Sequence, residues 1–143
     1  MITDKGDYLE FYERDPSDTR KEDVHQIECV AWLRRHYPGL LFWHTVNEGE
    51  KSITAAMRDD QAGLLKGVSD FVILIGVPGL TESKYPFAAI ELKRVNKSGK
   101  GKASPVSDAQ KAFLGKVRHL GGFAAVAYGR EQFKLAIAEL MKK

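Results

Sequence analysis

The sequence has a single cysteine, Cys29, in 143 residues. A lone thiol excludes a disulfide framework and fits a reducing compartment such as the cytoplasm. Cys29 lies in a helical pattern, where packing is the simpler role than nucleophilic chemistry. There is no apolar run of the roughly 20 residues that a membrane-spanning helix needs, and the acidic N-terminus does not read as a signal peptide. Internal repeats are absent. Neither sign of charge dominates, because 22 bases against 19 acids leave only +3. At 43% hydrophobic and 29% charged residues, the composition is that of a soluble globular domain with enough chain for one core.

That small net charge is unevenly spread. Residues 1–23 hold eight acids and four bases, a net of −4, which leaves +7 on residues 24–143. A basic body beneath an acidic arm suits a protein that approaches phosphates. The arm, residues 1–22, offers only Tyr8, Phe11 and Tyr12 as anchors and is expected to be disordered or to dock as a short helix over 8–14. The body, residues 23–143, is expected to be the functional domain.

Chemistry concentrates between Gly67 and Lys93. Two short apolar runs, Phe71–Ile75 and Phe87–Leu92, are bounded by Gly and Pro and read as strands joined by a long connection. An antiparallel pairing would bring Asp70, at the start of one strand, to Glu91, near the end of the other. Alternation along the second strand puts Glu91 and Lys93 on one face and Ile90 and Leu92 on the other. Two acids and a lysine then converge. Adjacent carboxylates call for a compensating cation, and carboxylate, carbonyl and water oxygens suit Mg²⁺ or Mn²⁺. The plainer alternative is a capping Asp and a surface Glu–Lys pair.

Gly67-Val68-Ser69-Asp70, then Ile90-Glu91-Leu92-Lys93, then Ser107-Asp108-Ala109-Gln110 resemble the VRR-NUC branch of the PD-(D/E)XK nucleases. The resemblance runs from about Val24 to the C-terminus. It departs at Ser69, where this family often has Pro. It implies a metal-dependent endodeoxyribonuclease leaving 5′-phosphates. In that reading Asp70, Glu91 and the Leu92 carbonyl hold metal, Lys93 positions the attacking water, and Gln110 lies near the scissile phosphate. Stand-alone members resemble Holliday-junction resolvases, which implies branched DNA as substrate and a homodimer.

Other candidates follow the chain. A first helix is expected over Val24–Tyr37, with Val24, Ile27, Val30 and Ala31 inward and Pro38-Gly39 as its stop. Glu28 falls near that face and is either a further metal ligand or a surface acid. Glu22 is its rival, although an acid there also favours the helix dipole. His44 and Asn47, around the end of a strand over 40–46, are candidates for a phosphate or water contact, or else packing and turn residues. A second helix is expected over Ile53–Leu65. After the hairpin, Arg94, Lys97, Lys100 and Lys102 lie in a glycine-containing run with no acid, either a solvated loop or a DNA-backbone contact. Ser107-x-x-Gln110 is a capping box opening a third helix, and Glu131–Met141 is a helix that packs the core.

The expected fold is α/β, a mixed sheet of about four strands flanked by helices. The strand at 123–128 should run parallel to Phe87–Leu92 because a helix crosses between them. Two rival functions remain: a non-catalytic DNA-binding module on the same fold, and a sequence-specific nuclease of restriction type. The dimer contact is expected at the connection 76–87 or at the arm through Tyr8 and Phe11.

Overall fold

The structure is a computed structural model and describes residues 1–46 and 52–142. The described elements are β1 (Ile2–Asp4), β2 (Leu9–Phe11), α1 (Glu22–His36), β3 (Leu41–His44), α2 (Ile53–Gln61), β4 (Phe71–Leu74), β5 (Phe87–Lys93), α3 (Asp108–His119), β6 (Phe123–Tyr128) and α4 (Arg130–Leu140). They build one mixed sheet in the order β1-β2-β6-β5-β4-β3. The pair β4·β5 is antiparallel and β5·β6 is parallel, as expected, and β3·β4 is antiparallel as well. No described helix is long and apolar enough to cross a membrane.

Strand alternation sorts the interior into two layers. Ala88, Ile90 and Leu92 of β5, with Phe123, Ala125 and Ala127 of β6, meet α1 and α4 through Cys29, Leu33, Phe133, Ile137 and Leu140. Ala89, Ala124, Val126 and Tyr128 face the other way, onto Leu114 and Val117 of α3. Glu91 and Lys93 share this second face. Cys29 is sealed in the first layer, where burial pushes its thiol up to about 12; its role is packing.

The sheet has six strands because the arm supplies two. The turn after Asp4 is closed by Gly6 N–H donating to Asp4 Oδ1 at 2.9 Å, with Gly6 at φ 90°. It folds β1 back on β2, and β2 joins β6 in parallel. The short helix expected at 8–14 is therefore replaced by a strand. Tyr8, Glu10 and Phe11 are 5%, 6% and 0% exposed, so neither Tyr8 nor Phe11 is free to form a dimer contact.

The inward face of α1 also differs from expectation. It carries His25, Cys29 and Leu33, spaced by one turn, while Val24 and Ile27 face out. His25 is admitted because its Nδ1 accepts from Arg130 N–H at 3.1 Å, satisfying one of the N-terminal amides of α4. α2 ends at Gln61, earlier than expected, and buries no residue.

The arm's integration is testable. Phe11→Ala should destabilise the protein by about 3–5 kcal/mol in urea unfolding, the range for a buried Phe. A docked or disordered arm would give a change near zero.

Candidate active site

The register sets the site. Phe71 pairs with Ile90, so Asp70 and Glu91 fall opposite each other one step on. They are 5% and 3% exposed. Asp70 N–H donates to Glu91 Oε2 at 3.3 Å, and Leu92 N–H donates to Asp70 Oδ2 at 2.8 Å. On the other side of β5, the Lys93 carbonyl accepts from Gly129 N–H at 2.8 Å. Successive residues in a strand point their backbone groups to opposite sides, so the Leu92 carbonyl faces the Asp70 side.

Lys93 is 2% exposed. Its ammonium donates to Ser104 Oγ at 3.2 Å, to the Pro105 carbonyl at 3.3 Å and to Gln110 Oε1 at 3.2 Å. These three bonds use all its N–H groups. Gln110 in turn donates from Nε2 to Glu91 Oε1 at 2.9 Å. Its Oε1 also accepts from Ser107 N–H at 2.9 Å, and its own N–H donates to Ser107 Oγ at 3.1 Å, completing the capping box of α3. One carboxamide thus joins the helix cap, the lysine and one acid. Gly67 lets α3 come this close: a Cβ there would lie within 3 Å of the Ala109 and Gln110 backbone, and its φ is +80°.

The family model for the VRR-NUC domain matches residues 20–131, more than half of the chain. The chain belongs to the VRR-NUC family. A solved structure described as a VRR_NUC domain protein superposes with a TM-score of 0.59 at 22% identity, covering 85% of this chain and 88% of that one. At that identity the likeness is one of fold. No curated protein matches. VRR-NUC membership brings a nuclease-type function in DNA processing.

Within this VRR-NUC domain, the first-helix acid near the site is Glu22. The charges of Asp70, Lys93 and His44 act on it, and burial raises its carboxyl pKa. Glu28 is placed elsewhere, bonded to Arg20 at 2.6 Å and Arg130 at 2.7 Å. Of the two readings of Glu28, these contacts match the surface acid: six residues are about 240° around a helix, which sends Glu22 and Glu28 to different sides. His44 Nδ1 lies 3.1 Å from the Asp70 carbonyl, at the rim of the site. Asn47 lies outside the described residues.

The basic run is anchored rather than loose. Arg94 donates to the Thr19 carbonyl. Asn96, missed from the sequence, is 3% exposed and donates to the carbonyls of Asp15 and Asp18 at 2.7 and 3.0 Å. Lys97 pairs with Glu10 at 2.8 Å and lies 4.5 Å over the Tyr12 ring. Lys100 and Lys102 are exposed.

Burial raises both acids. In Asp70 desolvation outweighs the Leu92 N–H bond, and in Glu91 the charge of Asp70 adds to desolvation. Among the described residues no three His, Cys, Asp or Glu side chains form a metal cluster. Two carboxylates, a carbonyl and water nonetheless match what a hard divalent cation takes. The buried Thr45 hydroxyl supports that fit. Thr45 N–H donates to the Asp70 carbonyl at 2.8 Å, yet its Oγ1 has no hydrogen-bond partner among the described residues, which leaves a polar atom for an ordered water.

A stability test follows from Glu91. Its folded pKa is raised above the ordinary 4.5, so the folded state holds a proton that the unfolded chain has released. Metal-free stability therefore falls as pH rises from about 4.5 through this window. Glu91→Gln should melt higher than wild type at pH 7–8 without metal and show no such gain at pH 4, as read by thermal denaturation. Equal melting at both pH values would remove the strain assigned to Glu91.

Proposed function

We propose that the protein is a divalent-metal-dependent endodeoxyribonuclease that hydrolyses phosphodiester bonds in branched DNA, such as a four-way junction. The observation that carries this reading is the buried Asp70–Glu91 pair with Lys93 held on the same face. A module that only bound DNA would gain nothing from buried acids that repel phosphate. All described strands belong to one sheet, with no separate recognition unit among them, which favours reading DNA shape over sequence.

Asp70, Glu91 and the Leu92 carbonyl would hold a Mg²⁺ or Mn²⁺ ion, with Glu22 as the nearby first-helix acid. When bound, the ion supplies a water of lowered pKa and stabilises charge developing on the phosphate. Lys93 places a fixed positive charge beside the acids. With all three N–H groups engaged, it orients a water only by exchanging one bond, and the Ser104 hydroxyl lies on the exposed side. Gln110 acts as a positioning residue: its carboxamide holds Lys93 and Glu91 in register with α3.

Cleavage of a labelled junction in Mg²⁺ and Mn²⁺ tests the assignment. Asp70→Ala and Glu91→Ala should each lower the rate on the order of 10³-fold or more, the scale for losing a main electrostatic stabiliser, with junction binding retained. Glu22→Gln should slow cleavage, whereas Glu28→Gln should leave the rate near wild type. Near-normal cleavage by Asp70→Ala would overturn the site. Loss of activity confined to Glu28→Gln would restore that residue as the first-helix ligand.

A four-way junction is two-fold and each chain carries one such site, so paired cuts call for a dimer. The exposed apolar side chains Leu41 and Trp43 on edge strand β3, with Leu74 on β4, offer its contact surface in place of Tyr8 and Phe11. Light scattering should give twice the chain mass at micromolar concentration. A monomer that still makes paired cuts would refute the assembly.

A further inference from the structure

A concavity of about 310 Å³ lies beside the active site, on the far side of the segment that accepts the Lys93 ammonium. Ser104 and Pro105 belong to both places: each accepts a hydrogen bond from Lys93 and each lines the concavity. Three lysines from distant parts of the chain meet there, Lys5 after β1, Lys97 after β5 and Lys111 on α3. Folding gathers like charges only against their repulsion, and the one acid in the lining is Glu10, which Lys97 already occupies at 2.8 Å. Two further acids lie outside the lining: the Asp7 carboxylate is set against Gly115, one turn beyond Lys111 on α3, and Asp108 stands one turn before Lys111. Lys5 and Lys111 have no ion pair among the described residues. The remaining wall is formed by the aromatic rings of Tyr8 and Tyr128 with Ala103 and Val106.

We infer that this lysine-lined concavity is a subsite for the phosphodiester backbone of the DNA strand flanking the scissile bond, with Lys5 and Lys111 as its phosphate contacts. The inference rests on the nuclease reading and adds a direction to it: the strand leaves the acids, crosses the Ser104–Pro105 segment and enters between the arm and α3. Lysines act on phosphate as point charges without reading bases. An occupant continuous with the active site across that segment is a strand rather than a small molecule. The arm becomes part of the DNA surface through Lys5, although its net charge is negative.

The test compares wild type, Lys5→Ala/Lys111→Ala and a control of equal charge change, Lys84→Ala/Lys142→Ala. Binding to a labelled duplex and to a four-way junction is measured by anisotropy between 50 and 200 mM NaCl, in EDTA so that no strand is cut. Each phosphate contact contributes about 0.9 to the log–log salt slope. The Lys5/Lys111 variant should lose close to two units of slope and bind about tenfold more weakly at low salt. The control should keep the wild-type slope. All three should melt alike, because the altered side chains are exposed. A slope equal to wild type, or an equal loss in the control, overturns the subsite. Thymidine 5′-monophosphate is titrated in parallel. Lysine-dependent binding of the mononucleotide with an unchanged duplex slope would assign the concavity to free nucleotides and overturn the strand path. The nuclease reading fails separately: no cleavage in any divalent metal refutes it, while the slope still decides the subsite.

Discussion

Two carboxylates buried face to face on adjacent strands are the constraint to which the surrounding structure answers. Burying one such group without partners is costly, and a second of like charge raises the cost. Glu22 adds to the repulsion, and the other neighbours answer it with donors or a positive charge. Leu92 N–H bonds Asp70, Asp70 N–H bonds Glu91, Gln110 Nε2 bonds Glu91, and Lys93 stands beside them. Since Gln110 also closes the cap of α3, the helix cannot shift without disturbing the acids. The backbone of α3 in turn touches the place where Gly67 lacks a side chain. What remains uncompensated is the raised pKa of both acids, and that residue of strain is what a divalent cation would relieve.

The hairpin was legible because two local rules suffice for it. Side-chain alternation puts Glu91 and Lys93 together, and antiparallel pairing of the two apolar runs brings Asp70 across from Glu91. The capping box was equally local. The arm was not legible. Its strands are three residues long, and β2 finds its partner in β6 more than a hundred residues later, so no short-range pattern announces it. The face of α1 was missed for a related reason. Hydrophobicity favours Val24 and Ile27, whereas His25 turns inward to accept the Arg130 amide from a helix at the other end of the chain. That rotation carried Glu28 to its arginines and left Glu22 beside the site. Asn96 gave no sequence signal at all, since an Asn in a basic run reads as turn chemistry.

An acidic arm on a protein that approaches DNA looks self-defeating, and the structure shows why it is not. Asp4 and Glu10 of the arm are spent on the body's own cations, and Asp18 on the arm's own Arg20. Asp4 meets Arg118 at 2.7 Å, Glu10 meets Lys97 at 2.8 Å, and Asp18 meets Arg20 at 2.8 Å. The guanidiniums of Arg118 and Arg20 hold Asp4 and Asp18 down to about 2, through the hydrogen bonds they donate. These acids stay ionised and matched across the neutral range. The same contacts fasten the run that follows Lys93, through Arg94 to Thr19, Asn96 to Asp15 and Asp18, and Lys97 to Glu10. A segment that ties both an edge strand and the chain leaving Lys93 is a structural part of the candidate site. Its charge is therefore read one contact at a time: Asp4, Glu10 and Asp18 are matched by cations, and Lys5 is left toward the solvent side that a phosphate would approach.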